Sequence, residues 1–254
     1  MTERRPLLPA GYQPICHDKL DSTNDEAKRL ARDGAAEGSL IWALEQSAGR
    51  GRRGRSWISP RGNLYISLIM RPECSPSRAA QLGFVAALAV GGALASVIPV
   101  LVGLSYKWPN DVLINGRKLA GVLLESEMTS PEKLSFLVIG VGVNLRNSPK
   151  GTEFSATSVQ EQGFGVVAPE VMLEAFVHSF HAWKTRWDAE GFAPVRAAWL
   201  VAGAIAPGAD IRVRLETAEL QGRFCDIDDQ GALVLDVEGR SLRIPAGEIF
   251  PVRP

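Results

Sequence analysis

The 254-residue chain is poor in cysteine: Cys16, Cys74 and Cys225 are odd in number and far apart, with no CxxC spacing. That argues against a disulfide framework and a cysteine-based structural zinc site, and it fits a reducing compartment such as the cytoplasm. Net charge is missing as well. The 28 Lys plus Arg residues balance 28 Asp plus Glu, so no global field holds the chain on nucleic acid or on an anionic membrane, and any positive site has to be local. Behind Arg4 and Arg5 no apolar run of signal-peptide length follows, because Pro6, Pro9 and Pro14 interrupt it, so secretion is not expected. There is no GxxxxGK[ST] loop, so any nucleotide chemistry is not of the Walker type. His17, His178 and His181 show no ligand or triad spacing. Charge is also absent from the 28 residues between Arg78 and Lys107, which by length alone could span a membrane. Much of that stretch is Ala and Gly, Pro99 would break a helix near its end, and polar chemistry resumes at KWPND. A buried core helix followed by a strand is the expectation.

What is present reads as an α+β protein. The run STNDEAKRLARDG from Ser22 predicts a helix, with Thr23 and Glu26 at capping-box spacing, an apolar stripe of Ala27, Leu30 and Ala31, and Gly34 as its stop. SLIWALEQ (39–46) predicts a strand, and NLYISLIM (63–70) a second one with Leu64, Ile66, Leu68 and Met70 on its core face. After a helix from about 78 to 97 come GLSYKW, DVLI and KLAGVLLESE, the last two joined through Asn115-Gly116, a strong hairpin signal. KLSFLVIGVGVNL (133–145) adds a strand, and 169–189 and 193–202 read as helices. From Asp210 onward, four or five short strands punctuated by Gly222, Gly231 and Gly239 predict a small barrel. Consecutive strands with inserted helices argue against a doubly wound sheet. The expected division is 1–205 for the larger unit and 206–254 for the barrel.

Four constellations carry chemistry. GRGRRGR (49–55) packs four arginines and three glycines into seven residues. Such a run fits a solvated loop or a nucleic-acid contact; its alternation also fits a small anion, since glycines let N–H groups approach an oxygen while guanidinium groups supply forked donors. In KWPNDVLINGRKLAGVLLE (107–125), Lys107, Asp111 and Lys118 surround a turn and a hairpin. Lys118 enters a strand expected to be apolar on both faces, so it should be aimed at a partner. It could offset charge on an activated carboxylate, while Asp111 could help to hold Mg²⁺ or simply cap the turn. Ser22, Thr23 and Asn24 suit a helix cap and equally a polar ligand at a helix N-terminus. In GVGVN (140–144), Gly142 and Asn144 leave room for a flat ring against the backbone.

In order and spacing, STN, EQSAGRGRRGR followed by Trp57, KWPND, RKLAGVLLE and GVGVN resemble the bacterial biotin protein ligases. GALVLDVEGRSLRIPAGEI resembles that family's SH3-like barrel. The resemblance implies a central mixed sheet flanked by helices, of class II synthetase type, and an enzyme that makes biotinyl-5′-AMP from biotin and ATP, with Mg²⁺, and then biotinylates a lysine of a biotin carboxyl carrier domain of a carboxylase such as acetyl-CoA carboxylase. It implies a pocket of Ser22, Thr23, Asn24, Gln46, Gly49, Arg50, Gly51, Arg52, Lys118, Gly121 and Asn144. Arg55, Trp57, Lys107, Asn110 and Asp111 would lie around the nucleotide and adenylate. Lys118, Arg52 and Asp111 would carry the chemistry. A homodimer is compatible with it. The residues before Ser22 are too few for the helix-turn-helix domain of some members, so a repressor role is not expected. The rivals are a lipoate or octanoate ligase or transferase of the same fold, against which the arginine-rich loop argues, and an RNA-binding module, against which zero net charge and missing aromatic platforms argue.

Overall fold

One strand sets the layering. In this computed structural model, which describes residues 6–151 and 155–252, β3 (Leu64–Met70) is buried along its whole length. Leu64, Ile66, Leu68 and Met70 enter the main core, as alternation requires. The opposite face, for which no core was expected, is covered too: Ile69 packs with Ile41, Phe136 and Val138 against Ala27 and Ala31 of α1 (Thr23–Arg32). The sheet therefore has helices on both sides.

Seven strands run in the order β1-β2-β3-β7-β6-β5-β4. They are β1 (Gln13–His17), β2 (Ser39–Ala43), β3, β4 (Leu104–Lys107), β5 (Asp111–Ile114), β6 (Arg117–Ser130) and β7 (Lys133–Val143). β1 and β2 pair in parallel, and the other neighbours are antiparallel. The β5–β6 turn places Asn115 and Gly116 at φ 50° and 71°, the positive values an Asn-Gly turn supplies. On the main-core face lie α2 (Pro76–Ala80), α3 (Leu82–Val97), α4 (Pro169–Glu190) and α5 (Ala193–Val201). Pro76–Val97 is long and apolar enough to cross a membrane, yet 72% of its apolar window is buried inside the molecule. Truncating a fully buried leucine such as Leu82 or Leu94 to alanine would cost about 2–5 kcal/mol.

Two local expectations are corrected. Ser22, not Thr23, caps α1: its backbone is extended and its Oγ accepts from the Asp25 N–H at 3.4 Å, because the Thr23 N–H is already given to Gln46 Oε1 at 2.8 Å. β6 is not apolar on both faces. Leu119, Ala120 and Val122 are buried, whereas Gly121 and Leu123 border a cavity and the strand runs out to solvent beyond Glu125.

The second sheet is antiparallel, β11-β10-β9-β8-β12, formed by β8 (Asp210–Arg214), β9 (Glu219–Ile227), β10 (Leu233–Val237), β11 (Arg240–Ile244) and β12 (Glu248–Pro251). Ile211 and Val213 point inward between exposed Asp210 and Arg212, and its apolar side chains are continuous with the main core. Trp108 Nε1 donates to Gly231 O at 3.0 Å and Gln81 Nε2 to Asp229 O at 2.8 Å, so this sheet is fastened beside the KWPND turn.

Candidate active site

A cavity of about 320 Å³ opens over the carboxyl end of β7 and the start of β6, roofed by the arginine-rich loop and flanked by the second sheet. Its wall holds every residue singled out in the sequence except Gly49. Gly49 instead packs behind the loop, where a Cβ would lie 2.5 Å from Ser59 Oγ and the Trp57 carbonyl oxygen.

The polar floor is wired together. The Thr23 hydroxyl donates to Gln46 Oε1 at 3.1 Å, Gln46 Nε2 donates to Ser59 Oγ at 2.9 Å, and Ser59 donates to the Trp57 carbonyl at 2.7 Å. The Ser67 hydroxyl donates to Asn24 Oδ1 at 2.5 Å, and Asn24 Nδ2 to Glu125 at 2.7 Å. Buried polar groups satisfied in this way fix rotamers, so the STN segment enters the site preorganised.

Around the floor stand the cations. Lys118 Nζ lies 2.6 Å from Asp111 Oδ1 and 5.4 Å from the centre of the Trp57 ring. Its backbone is held by residues 155–157: the Lys118 N–H donates to Ser155 O at 2.8 Å, and the Thr157 N–H to Lys118 O at 2.9 Å. Arg52 is half-buried and donates to Gly247 O at 3.2 Å and Asn110 Oδ1 at 3.4 Å. Burial, with Arg53 beside it, pushes its guanidinium below its ordinary value. Burial does the same to Lys107, whose Nζ sits 5.0 Å over the Phe250 ring. Desolvation of this kind lowers the affinity for the proton and strengthens the attraction to an entering anion.

The arginines of the loop divide. Arg50 is bound by Asp25, and Arg55 by Glu248 of the second sheet; Arg53 is exposed, at φ 55°. Glu248 lines the cavity and was not foreseen. Its signal was a carboxylate inside the strand GEIF, where its neighbours are apolar. Trp57 lies flat against glycines: a Cβ on Gly142 would fall 2.6 Å from its Cε2 and Nε1. Thus the flat ring resting on Gly142 is the protein's own indole. Among the described residues three buried side-chain atoms of the wall lack a hydrogen-bond partner, Trp57 Nε1, Asn144 Oδ1 and Glu248 Oε2, the last on a carboxylate already paired with Arg55. The unpartnered uncharged pair, Trp57 Nε1 as donor and Asn144 Oδ1 as acceptor, together with a rim of cations suits a ligand carrying both an uncharged polar group and an anion.

Magnesium fits this donor set poorly. Among the described residues no group of three His, Cys, Asp or Glu could hold an ion, and the carboxylate of Asp111 is already engaged by Lys118.

Comparison with known proteins follows the same lines. Residues 17–144 match the model of the biotin/lipoate A/B protein ligase family, and 208–250 match that of the biotin protein ligase C terminal domain. The chain is 45% identical to a biotin--[acetyl-CoA-carboxylase] ligase of Paracoccus denitrificans, over 91% of this chain and 98% of that protein. It is 36% identical to the enzyme so named in Mycobacterium tuberculosis, over 91% and 86%. It is 31% identical to the bifunctional ligase/repressor BirA of Bacillus subtilis, over 94% and 74%. The structure of the Aquifex aeolicus biotin protein ligase in complex with biotin and ATP superposes with a TM-score of 0.79 at 25% identity, covering 95% of this chain and 99% of that one.

Proposed function

The chain belongs to the biotin/lipoate A/B protein ligase family, and from that premise we propose that it activates biotin with ATP to biotinyl-5′-AMP and passes the biotinyl group to a lysine of a biotin carboxyl carrier domain, that of acetyl-CoA carboxylase. The observation that carries this reading is that Lys118 and Arg52, from a hairpin and from the arginine-rich loop, face one cavity whose floor is an uncharged polar network. The names of the relatives support biotin and the carboxylase as substrates. The matching C-terminal domain model supports biotin over lipoate.

In the first step a carboxylate oxygen of biotin attacks the α-phosphorus of ATP and pyrophosphate leaves. Lys118 and Arg52 offset the charge that gathers on the carboxylate and phosphate oxygens, in a site where burial makes each cation count for more than in water. Asn144 Oδ1 and Trp57 Nε1 gain partners when the ligand enters. In the second step the acceptor amine attacks the mixed anhydride, an amide forms and AMP leaves. The loop keeps water from the anhydride between the steps. Residues 1–205 form the catalytic unit in this proposal and 206–254 the barrel, which braces the loop through Gly247 and Glu248. The protein's three cysteines, none of them in a disulfide, suit a cytoplasmic enzyme.

Incubation with ATP, Mg²⁺ and biotin, followed by mass spectrometry, should yield biotinyl-AMP. Biotin should raise the melting temperature and lipoate should not. A shift with lipoate alone would reverse the substrate assignment.

A further inference from the structure

Arg50 is held unlike the other arginines of its loop. Its guanidinium grips both oxygens of Asp25 and reaches Glu125 at 3.4 and 3.5 Å. Lys28 closes the cluster from the other side, 3.0 Å from Asp25 and 2.7 Å from Glu125, and Asn24 donates to Glu125 at 2.7 Å. Two anions and two cations sum to zero, so the cluster adds no net charge beside the cavity. Asp25 and Glu125 are not on the cavity wall, although Asn24 and Arg50 are.

We infer that Asp25 and Glu125 are positioning residues that bind Arg50 to α1 and β6 and set the entry leg of the arginine-rich loop over the cavity. The flanking glycines tie this leg to the loop's own return leg, the Trp57 N–H donating to Gly49 O at 2.8 Å and the Gly51 N–H to Arg55 O at 2.7 Å, and it is the Arg50 side chain that joins the leg to α1 and β6. Asp25 stands in the first turn of α1, where the helix dipole favours an anion, and the forked geometry fixes orientation as well as distance. The Arg50 hydrogen bond holds the Asp25 carboxyl down at about 2, with burial opposing and Lys28 assisting. Burial works against ionisation of Glu125, and the bonds from Lys28 and Asn24 outweigh it, keeping it below its ordinary value. Both carboxylates are thus charged at neutral pH. The catalytic consequence rests on reading this cavity as the site for biotin and ATP: with the entry leg fixed, the loop pays less ordering entropy on closing and the adenylate escapes more slowly.

The test uses Asp25→Asn, Glu125→Gln and the charge-conserving Asp25→Glu in the full chain. Three readouts are taken: hydrogen exchange of the 49–57 peptide without ligand, KM and kcat for biotin-dependent pyrophosphate exchange, and the rate of adenylate release. In Asp25→Asn, loop exchange, KM for biotin and adenylate release should each rise about tenfold, the factor carried by one hydrogen bond to a charged group, while kcat stays within about twofold. Glu125→Gln should move the same quantities in the same direction, and Asp25→Glu should recover most of the loss. Unchanged loop exchange and KM in both neutral variants would overturn the inference. So would exchange that rises equally through α1 and β6 while kcat falls with KM, since that marks a merely structural role. If the unaltered protein makes no biotinyl-AMP, the substrate reading fails, and loop exchange still decides on the clamp by itself.

Discussion

Replacing Lys118 with alanine separates charge stabilisation from mere binding. The ammonium is 24% exposed and its partner Asp111 16% exposed, at 2.6 Å, so the pair is screened incompletely. Loss of one preorganised group facing the charge that develops in a transition state costs about 2.7–4 kcal/mol, or ~10²–10³ in kcat. A second effect adds to this. Without Lys118, the Asp111 carboxylate faces an incoming carboxylate and triphosphate uncompensated, so KM for biotin and for ATP should rise as well. The double variant Lys118→Ala/Asp111→Asn removes that repulsion. It should recover about tenfold in KM while kcat stays at the level of the single variant, a non-additive pattern expected of groups in contact. Biotin-dependent exchange of radiolabelled pyrophosphate into ATP gives both constants. The reasoning is refuted if Lys118→Ala keeps more than about a tenth of kcat, a loss below ~1.4 kcal/mol, or if the double variant regains rate along with binding.

Three further outcomes follow from the same geometry. Arg52→Ala should speed loss of biotinyl-AMP about tenfold or more, because the Arg52 bonds to Gly247 O and Asn110 tie the loop down and the half-buried guanidinium lines the cavity; an unchanged off-rate by stopped flow would refute this. Gly142→Ala puts a methyl group 2.6 Å from the Trp57 ring on a strand paired on both sides, so it should cost about 1–3 kcal/mol in urea unfolding; unaltered stability would mean that Trp57 rests elsewhere. Asp25, lowered from 3.8 to about 2 by Arg50, contributes stability that is fully present above the unfolded value and lost as pH falls through about 2. That amounts to roughly 2 kcal/mol. Asp25→Asn should flatten the stability curve between about pH 4 and pH 2, and an unchanged slope there would deny the clamp its charge.

Where neighbours in sequence are neighbours in space, the chain was legible. The Asn115-Gly116 turn, the alternation in 63–70 and the apolar helix before KWPND each depend on local geometry, and the structure differs from those readings by a residue or two at the ends. What sequence alone missed is tertiary. Thr23 has the hydroxyl and the spacing of a cap, but Gln46 takes its N–H, and the capping role passes back to Ser22. The outer face of β3 looked unclaimed because Tyr65 and Ser67 are polar; Ser67 is nonetheless fully buried, hydrogen-bonded to Asn24. Such a face cannot be assigned to a core until the helix covering it has been placed.

The charges show the same limit more sharply. Four arginines in seven residues look equivalent in sequence, and which of them meets the substrate is decided by carboxylates distant along the chain. Asp25 precedes Arg50 by 25 residues, and Glu248 follows Arg55 by 193. A third partner, Glu125, stands on a strand whose pattern is regular only in part. Gly121, Leu123 and Glu125 share a face of β6; strict alternation would put Lys118 on the other face, and only the irregularity in the β5–β6 pairing between Lys118 and Ala120 brings its side chain beside Gly121. A glutamate closing an apolar strand toward a basic loop is a pairing the pattern permits. Against an acyl-adenylate, which carries a single phosphate charge, four loop arginines are in surplus, and protein carboxylates hold that surplus, since an unpaired guanidinium beside a half-buried site would be desolvated without return. Here Asp25, Glu125 and Glu248 take Arg50 and Arg55, and Arg52 is the loop arginine left facing Asn110 across the cavity.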